Sequence, residues 1–173
     1  MRLFLIRHAH ALDLKVDTER PVSPRGQAIT RLVSAYFKAN GLLNPKQFWH
    51  SPRRRAFETA ADMVSQIGLA CPLVETDGLD PLDDPNIIAE RLRIYPTTHD
   101  IALVGHQPHL SLLASLLVTD STRANLFHFK KNAVLALRRT DDTHPKSQRP
   151  QWRVAWHFSP EMLPRFAKIT DGS

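Results

Sequence analysis

The chain has 173 residues, 42% hydrophobic and 23% charged, with 23 Lys+Arg against 17 Asp+Glu and a formal net charge of +6. At ~150 residues per domain this length predicts a single domain over 1–173, with residues from about 160 on as a C-terminal tail, and the composition excludes a disordered or fibrous chain. No apolar run approaches the ~20 residues a membrane-spanning helix needs; Cys71, the single cysteine, cannot form an internal disulfide; the scattered positive charge suits an anionic partner without naming one.

The first predicted element is the strand over 2–6. Leu3–Ile6 is too short for the apolar segment of a signal peptide, and Arg7 and His8 follow at once, so the expected location is the cytoplasm. Residues 9–23 read as a polar loop. "SPRGQAITRLVSAYFKANG" reads as a helix, with Ser23 as N-cap, Pro24 at its first position, Ile29, Leu32, Val33, Tyr36 and Phe37 on one face, and Gly41 as its stop. "KQFWHS" is the next strand. "SPRRRAFETAADMVSQIG" repeats the helical pattern: Ser51 as cap, Pro52 first, an apolar face of Ala56, Phe57, Ala60, Val64 and Ile67, and Gly68 as stop. "CPLVE" is a short strand, with Cys71 a buried structural thiol beside Pro72. A turn-rich acidic stretch, "DGLDPLDDP", leads into a short helix over 86–95. "DIALVGHQP" is a buried strand and "HLSLLASLLV" a helix. "NAVLALRR" and "QWRVAWHF" alternate as strands around a polar loop at 140–150. Alternating strands and helices predict a three-layer α/β/α sandwich around a mostly parallel sheet, and the last two strands predict an antiparallel edge.

Ligands of such sheets bind beyond the carboxyl ends of the strands. Two strands end alike there: "LFLIRH" at His8 and "IALVGH" at His106. A helix opening on Arg53, Arg54 and Arg55 is the second signal. Exposed cations at a helix N-terminus each cost ~0.3–1 kcal/mol, so three together call for a compensating anion. Free N–H groups and guanidinium forks both favour phosphate. Around a phosphoryl group, one neutral imidazole can attack phosphorus, a second, protonated one can stabilise the transferring oxygens, and arginines can clamp them. Metal spacing motifs are absent, so no metal or cofactor is expected. Trp49, Trp152 and Trp156 fall in strand-like runs and form no ladder for nucleic acid.

"LIRHA", "SPRRRAFETA" and "LVGHQP", in this order over about residues 1–140, resemble the histidine phosphatase superfamily, phosphoglycerate mutase-like in fold. The short length, "RPVSPRG" and the "HxP" after the late strand resemble its small SixA-type phosphohistidine phosphatase branch. The resemblance implies that His8 is the nucleophile that becomes phosphohistidine. It also implies that Arg7 and Arg55 bind the phosphoryl oxygens, that His106 is the second catalytic histidine, and that Arg20 is a further phosphate neighbour. Arg53 and Arg54 would sit at the rim and greet an acidic substrate. Ala9 stands where the family has glycine. The inserted acid of the larger members has no counterpart; Asp80, Asp83 and Asp84 are the nearest carboxylates, and turn formation and capping are their first expected roles. His10 and His109 are secondary candidates for substrate contact. The implied activity is dephosphorylation of a phosphorylated protein by a monomer, without membrane or nucleic acid. The alternatives are a phosphomonoesterase for a small metabolite and a phosphate-recognition module without turnover.

Overall fold

A computed structural model describes residues 1–15, 19–96, 98–123 and 126–164. The expected tail beyond 164 lies outside the described residues. In chain order the elements are β1 (Arg2–Arg7), α1 (Pro24–Asn40), β2 (Gln47–His50), α2 (Arg54–Ile67), β3 (Leu73–Glu75), α3 (Pro85–Ile94), β4 (Ile101–Gly105), α4 (His109–Thr119), β5 (Val134–Thr143) and β6 (Pro150–Phe158). A single 3₁₀ turn follows at Pro160–Met162. The strands form one sheet in the order β3-β2-β4-β1-β5-β6. β3, β2, β4 and β1 are parallel, and β5 and β6 add the antiparallel edge.

Strands covered on both faces read as unbroken apolar runs rather than alternating ones. That is why Leu3–Ile6 and Ile101–Val104 carry no polar residue. Leu3, Leu5, Ile101 and Leu103 face a core closed by α3 and α4. Phe4, Ile6, Ala102 and Val104 face the opposite core, closed by α1 and α2 through Ile29, Val33, Phe37, Ala56, Ala60 and Met63. Each fully buried Leu, Ile or Phe contributes ~1.5–3 kcal/mol. Cys71 is half-buried against the second core, and burial pushes its thiol pKa up.

α1 starts as its sequence predicts: the Ser23 hydroxyl accepts from the Gly26 N–H, and Gly41 closes the helix at φ 61°. Gly26 has no room for a side chain, since a Cβ there would lie 2.1 Å from the His10 carbonyl oxygen. Three expectations change. α2 begins at Arg54, not behind a Ser51 cap, because the Ser51 hydroxyl is engaged elsewhere. Phe57 is exposed and packs on the His50 ring, whereas Met63 takes the core position. The expected loop at 140–150 is shorter: β5 runs to Thr143, where the exposed edge of the hairpin tolerates polar residues on both faces.

Candidate active site

β1 and β4 are neighbours at the centre of the sheet, in a register that pairs Arg7 with Gly105. The next residue of each chain segment is a histidine. His8 and His106 therefore leave the sheet side by side, with ring centroids 4.8 Å apart. The His8 N–H donates to the Gly105 carbonyl at 3.0 Å, locking the two strand ends together. Arg7, His8, Arg20, Arg55, Pro81, His106, Gln107 and Lys131 line one cavity of about 300 Å³ at this point. The five residues singled out in the sequence for phosphoryl chemistry thus meet in one place.

The "SPRRRAFETA" segment supplies most of the fixings. Ala56 and Ala60 pack without exposure in the core. Arg55, on the same helix, reaches over β1, and its Nε donates to His8 Nε2 at 3.3 Å. Thr59 donates to the Arg55 carbonyl and accepts from the Ala9 N–H at 2.9 Å. The Ala9 carbonyl in turn accepts from His8 Nδ1 at 2.7 Å. Ala9 is buried and absent from the positive-φ residues, so alanine fits at this position without backbone strain, and no glycine is required there.

These bonds decide the protonation of His8. A proton on Nδ1 is held by the Ala9 carbonyl, and a guanidinium can only donate, so Nε2 carries a lone pair. Burial, then His106, with further contributions from Arg55 and Arg7, lowers the His8 pKa to about 2 against the Ala9 bond, which raises it. The ring is neutral, and its Nε2 keeps a lone pair of the kind a nucleophile needs. His106 is also neutral, its pKa lowered to about 3 by burial first and then by Arg55, Arg53, His109 and Arg7. The expected protonated second histidine is therefore not what this environment favours: burial and the surrounding cations hold His106 neutral.

Ser51 explains how His106 is held. Its hydroxyl donates to Asp80 Oδ1 at 2.6 Å, because a carboxylate only accepts. Ser51 Oγ must then accept from His106 Nε2, 2.9 Å away, and it also accepts from the Arg53 N–H. The tautomer of His106 is set to Nε2–H. Its Nδ1 is buried and has no partner among the described residues.

Arg7 donates from Nη1 to the Phe129 carbonyl at 2.6 Å, while its buried Nε has no partner among the described residues. Arg20 adopts φ 52°, a left-handed conformation that costs a non-glycine residue ~1–2 kcal/mol, and its Nε donates to the Leu12 carbonyl. Lys131 was missed by sequence reasoning. Its signal is Asn132, which takes φ 62° and donates its N–H to the Arg7 carbonyl, so that the turn before β5 lays Lys131 against the site. Asparagine tolerates that conformation better than most residues.

Other expectations change here. Arg53 and Arg54 are not free rim cations: Arg53 pairs with Asp80 at 3.0 Å and Arg54 with Glu58 at 2.8 Å. His109 is fully buried in α4 and cannot reach a ligand, whereas His10 is partly exposed. Asp83 accepts from the Asp80 N–H and Asp84 caps α3, so both serve the turn. Among the described residues no group of His, Cys, Asp and Glu side chains could hold a metal ion, and no helix is long and apolar enough to cross a membrane.

No protein-family model matches the chain. It is 29% identical over 143 residues to an uncharacterized protein of Picosynechococcus sp., covering 80% of this chain and 85% of that one. In structure it is similar to the protein histidine phosphatase SixA complexed with tungstate, with TM-score 0.75 and 22% identity over 92% of this chain and 97% of that one. It is also similar to a mycobacterial glucosyl-3-phosphoglycerate phosphatase, with TM-score 0.64 and 15% identity over 89% and 96% of the two chains. The chain shares the fold of SixA, in agreement with the resemblance carried by its motifs.

Proposed function

We propose that the chain is a phosphatase that removes a phosphoryl group from phosphohistidine on a protein, through a covalent intermediate on His8. The single observation that carries this reading is the unprotonated Nε2 of His8, set in tautomer by Ala9, touched by Arg55 and ringed by Arg7, Arg20 and Lys131. In the first step Nε2 attacks phosphorus and the P–N bond of the substrate breaks. The arginines hold the equatorial oxygens in line. In the second step water attacks phosphorus, inorganic phosphate leaves, and Nε2 regains its lone pair.

The leaving group points to phosphohistidine. Among the described residues no carboxylate lines the cavity, and the acidic loop beside it is occupied: Asp80 with Ser51 and Arg53, Asp83 and Asp84 with backbone N–H groups. An alkoxide needs a proton in order to leave. An imidazole protonated on its far nitrogen leaves neutral, with no proton from the enzyme. Turnover of a phosphohistidine protein beside a panel of alkyl and aryl phosphates tests this. Phosphohistidine should be cleaved best, aryl phosphates less well and alkyl phosphates poorly. Brief incubation with labelled substrate should trap an acid-labile phosphoryl group on wild type and none on His8→Asn. Efficient hydrolysis of a sugar phosphate, lost in Asp80→Asn, would overturn the reading in favour of a metabolite phosphatase.

A further inference from the structure

A second groove, of about 470 Å³, adjoins the phosphoryl cavity and shares Arg7 and Lys131 with it. His10, Arg25 and Lys130 supply its remaining basic wall, Ile29 and Pro160 add apolar surface, and Glu161 closes it. Across both spaces stand six cations: Arg7, Arg20, Arg25, Arg55, Lys130 and Lys131. Among the described residues one carboxylate lines them, Glu161, and it pairs with Lys130 at 3.3 Å. None of the other five cations has a carboxylate within ion-pair distance among the described residues. A phosphoryl group brings at most about two negative charges. Cations therefore remain without a counter-charge after it binds.

A solvated basic face would carry this excess at little cost, but this one is not fully solvated. Lys131 is partly buried, and its pKa is pulled down by burial first and then by Arg7, Arg20, Arg25 and Arg55. We propose that the groove between α1 and the Lys130–Lys131 turn receives an aspartate or glutamate side chain of the same substrate protein, flanking its phosphohistidine. This rests on the phosphohistidine reading above. A carboxylate fits better than a second phosphate, because Glu161 in the wall opposes a dianion more than a monoanion. A protein fits better than a small molecule, because Leu82, 91% exposed, adjoins Pro81 on the rim of the phosphoryl cavity and offers apolar contact outside both spaces.

Two peptides test the inference, each with one phosphohistidine, one flanked by Asp and Glu and the other by Ala and Gln. Wild type should cleave the acidic peptide with at least tenfold higher kcat/KM, the gain lying in KM. Arg25→Ala should bring the acidic-to-neutral ratio to within about threefold of unity, and Arg25→Lys should keep most of the preference. Affinities are measured in parallel on His8→Asn, which holds the peptides without turning them over. A ratio near one in wild type, or a preference unchanged in Arg25→Ala, overturns the groove assignment. So does preferential cleavage of a small phosphorylated carboxylate over the acidic peptide. If wild type cleaves neither peptide while the affinity gap on His8→Asn persists, the phosphohistidine reading falls and the groove stands.

Discussion

His8 and His106 are neutral imidazoles in a cationic pocket, and that state leaves a mark on stability. Both folded pKa values, about 2 and about 3, lie below the ordinary histidine value of 6.5. Between those limits the unfolded chain binds more protons than the folded one, so stability rises with pH up to about 6.5 and is flat above. Going from pH 7.5 to 5 should cost about 2 kcal/mol per histidine. Urea melts across that range should show the loss, to which His10, His109 and His157 with their lowered pKa values add, and His8→Asn should reduce it by about 2 kcal/mol; an unchanged slope in that variant would contradict a neutral buried His8. Ser51 is a positioning residue for His106. Ser51→Ala removes the acceptor of Nε2–H and should lower kcat ~3–10-fold, the worth of a neutral hydrogen bond that holds the His106 ring in place. It should also shift the acidic limb of the pH–rate profile, which a purely structural loss would not move. Asp80→Asn keeps an oxygen for the Ser51 hydroxyl and should cost less than about tenfold.

At the scale of elements, α2 gives up a conventional cap. Its N-cap residue, Arg53, makes no side-chain capping bond, and Ser51 two residues earlier is spent on His106 and Asp80. A missing cap costs ~1 kcal/mol, tolerable in a helix whose inner face is buried from Ala56 to Ile67. α1 shows the reverse order of priorities: it is well capped, and its first turn sits tightly under the 9–23 loop at Gly26. Gly26→Ala drives a Cβ into the His10 carbonyl, a backbone group that cannot swing away, and to 2.8 Å from a buried Val22 methyl. Overpacking of that kind should cost ~1–3 kcal/mol in a thermal or urea melt. The loop carries Arg20 and His10, so KM should also rise.

Over the whole molecule, the charge of +6 is distributed unevenly. Ion pairs tie down Arg2, Arg53, Arg54, Arg93 and Arg149, away from the cavity or at its rim, whereas the lining cations other than Lys130 have no ion-pair partner among the described residues. A concentrated positive field steers anions and is screened over ~10 Å at 0.1 M salt. Raising salt from 0.05 to 0.5 M should therefore lower kcat/KM for an acidic phosphoprotein several-fold more than for a small phosphoramidate, with kcat nearly constant for both. Equal sensitivity of the two substrates would argue against long-range steering.

Much of this was legible in one dimension. Apolar runs of a sheet covered on both faces, Ser-Pro and Gly at the ends of α1, and the matching "IRH" and "VGH" strand ends are local signals, each set by burial, backbone conformation or period. They determined the layered fold and nominated Arg7, His8 and His106, whereas the choice of Arg55 among three successive arginines came from the resemblance. What needed the tertiary structure is pairing across distance. The fate of a hydroxyl such as Ser51 depends on which partners come within 3 Å, and Asp80 and His106 lie 29 and 55 residues away. Whether Arg53 faces a ligand or a carboxylate, and whether His109 is exposed or sealed, depends on packing that no short window contains. The basic groove is the strongest case. Arg25 and Lys131 are more than a hundred residues apart and carry no motif. Only the folded sheet, by placing the start of α1 beside the turn into β5, turns two ordinary cations into one wall.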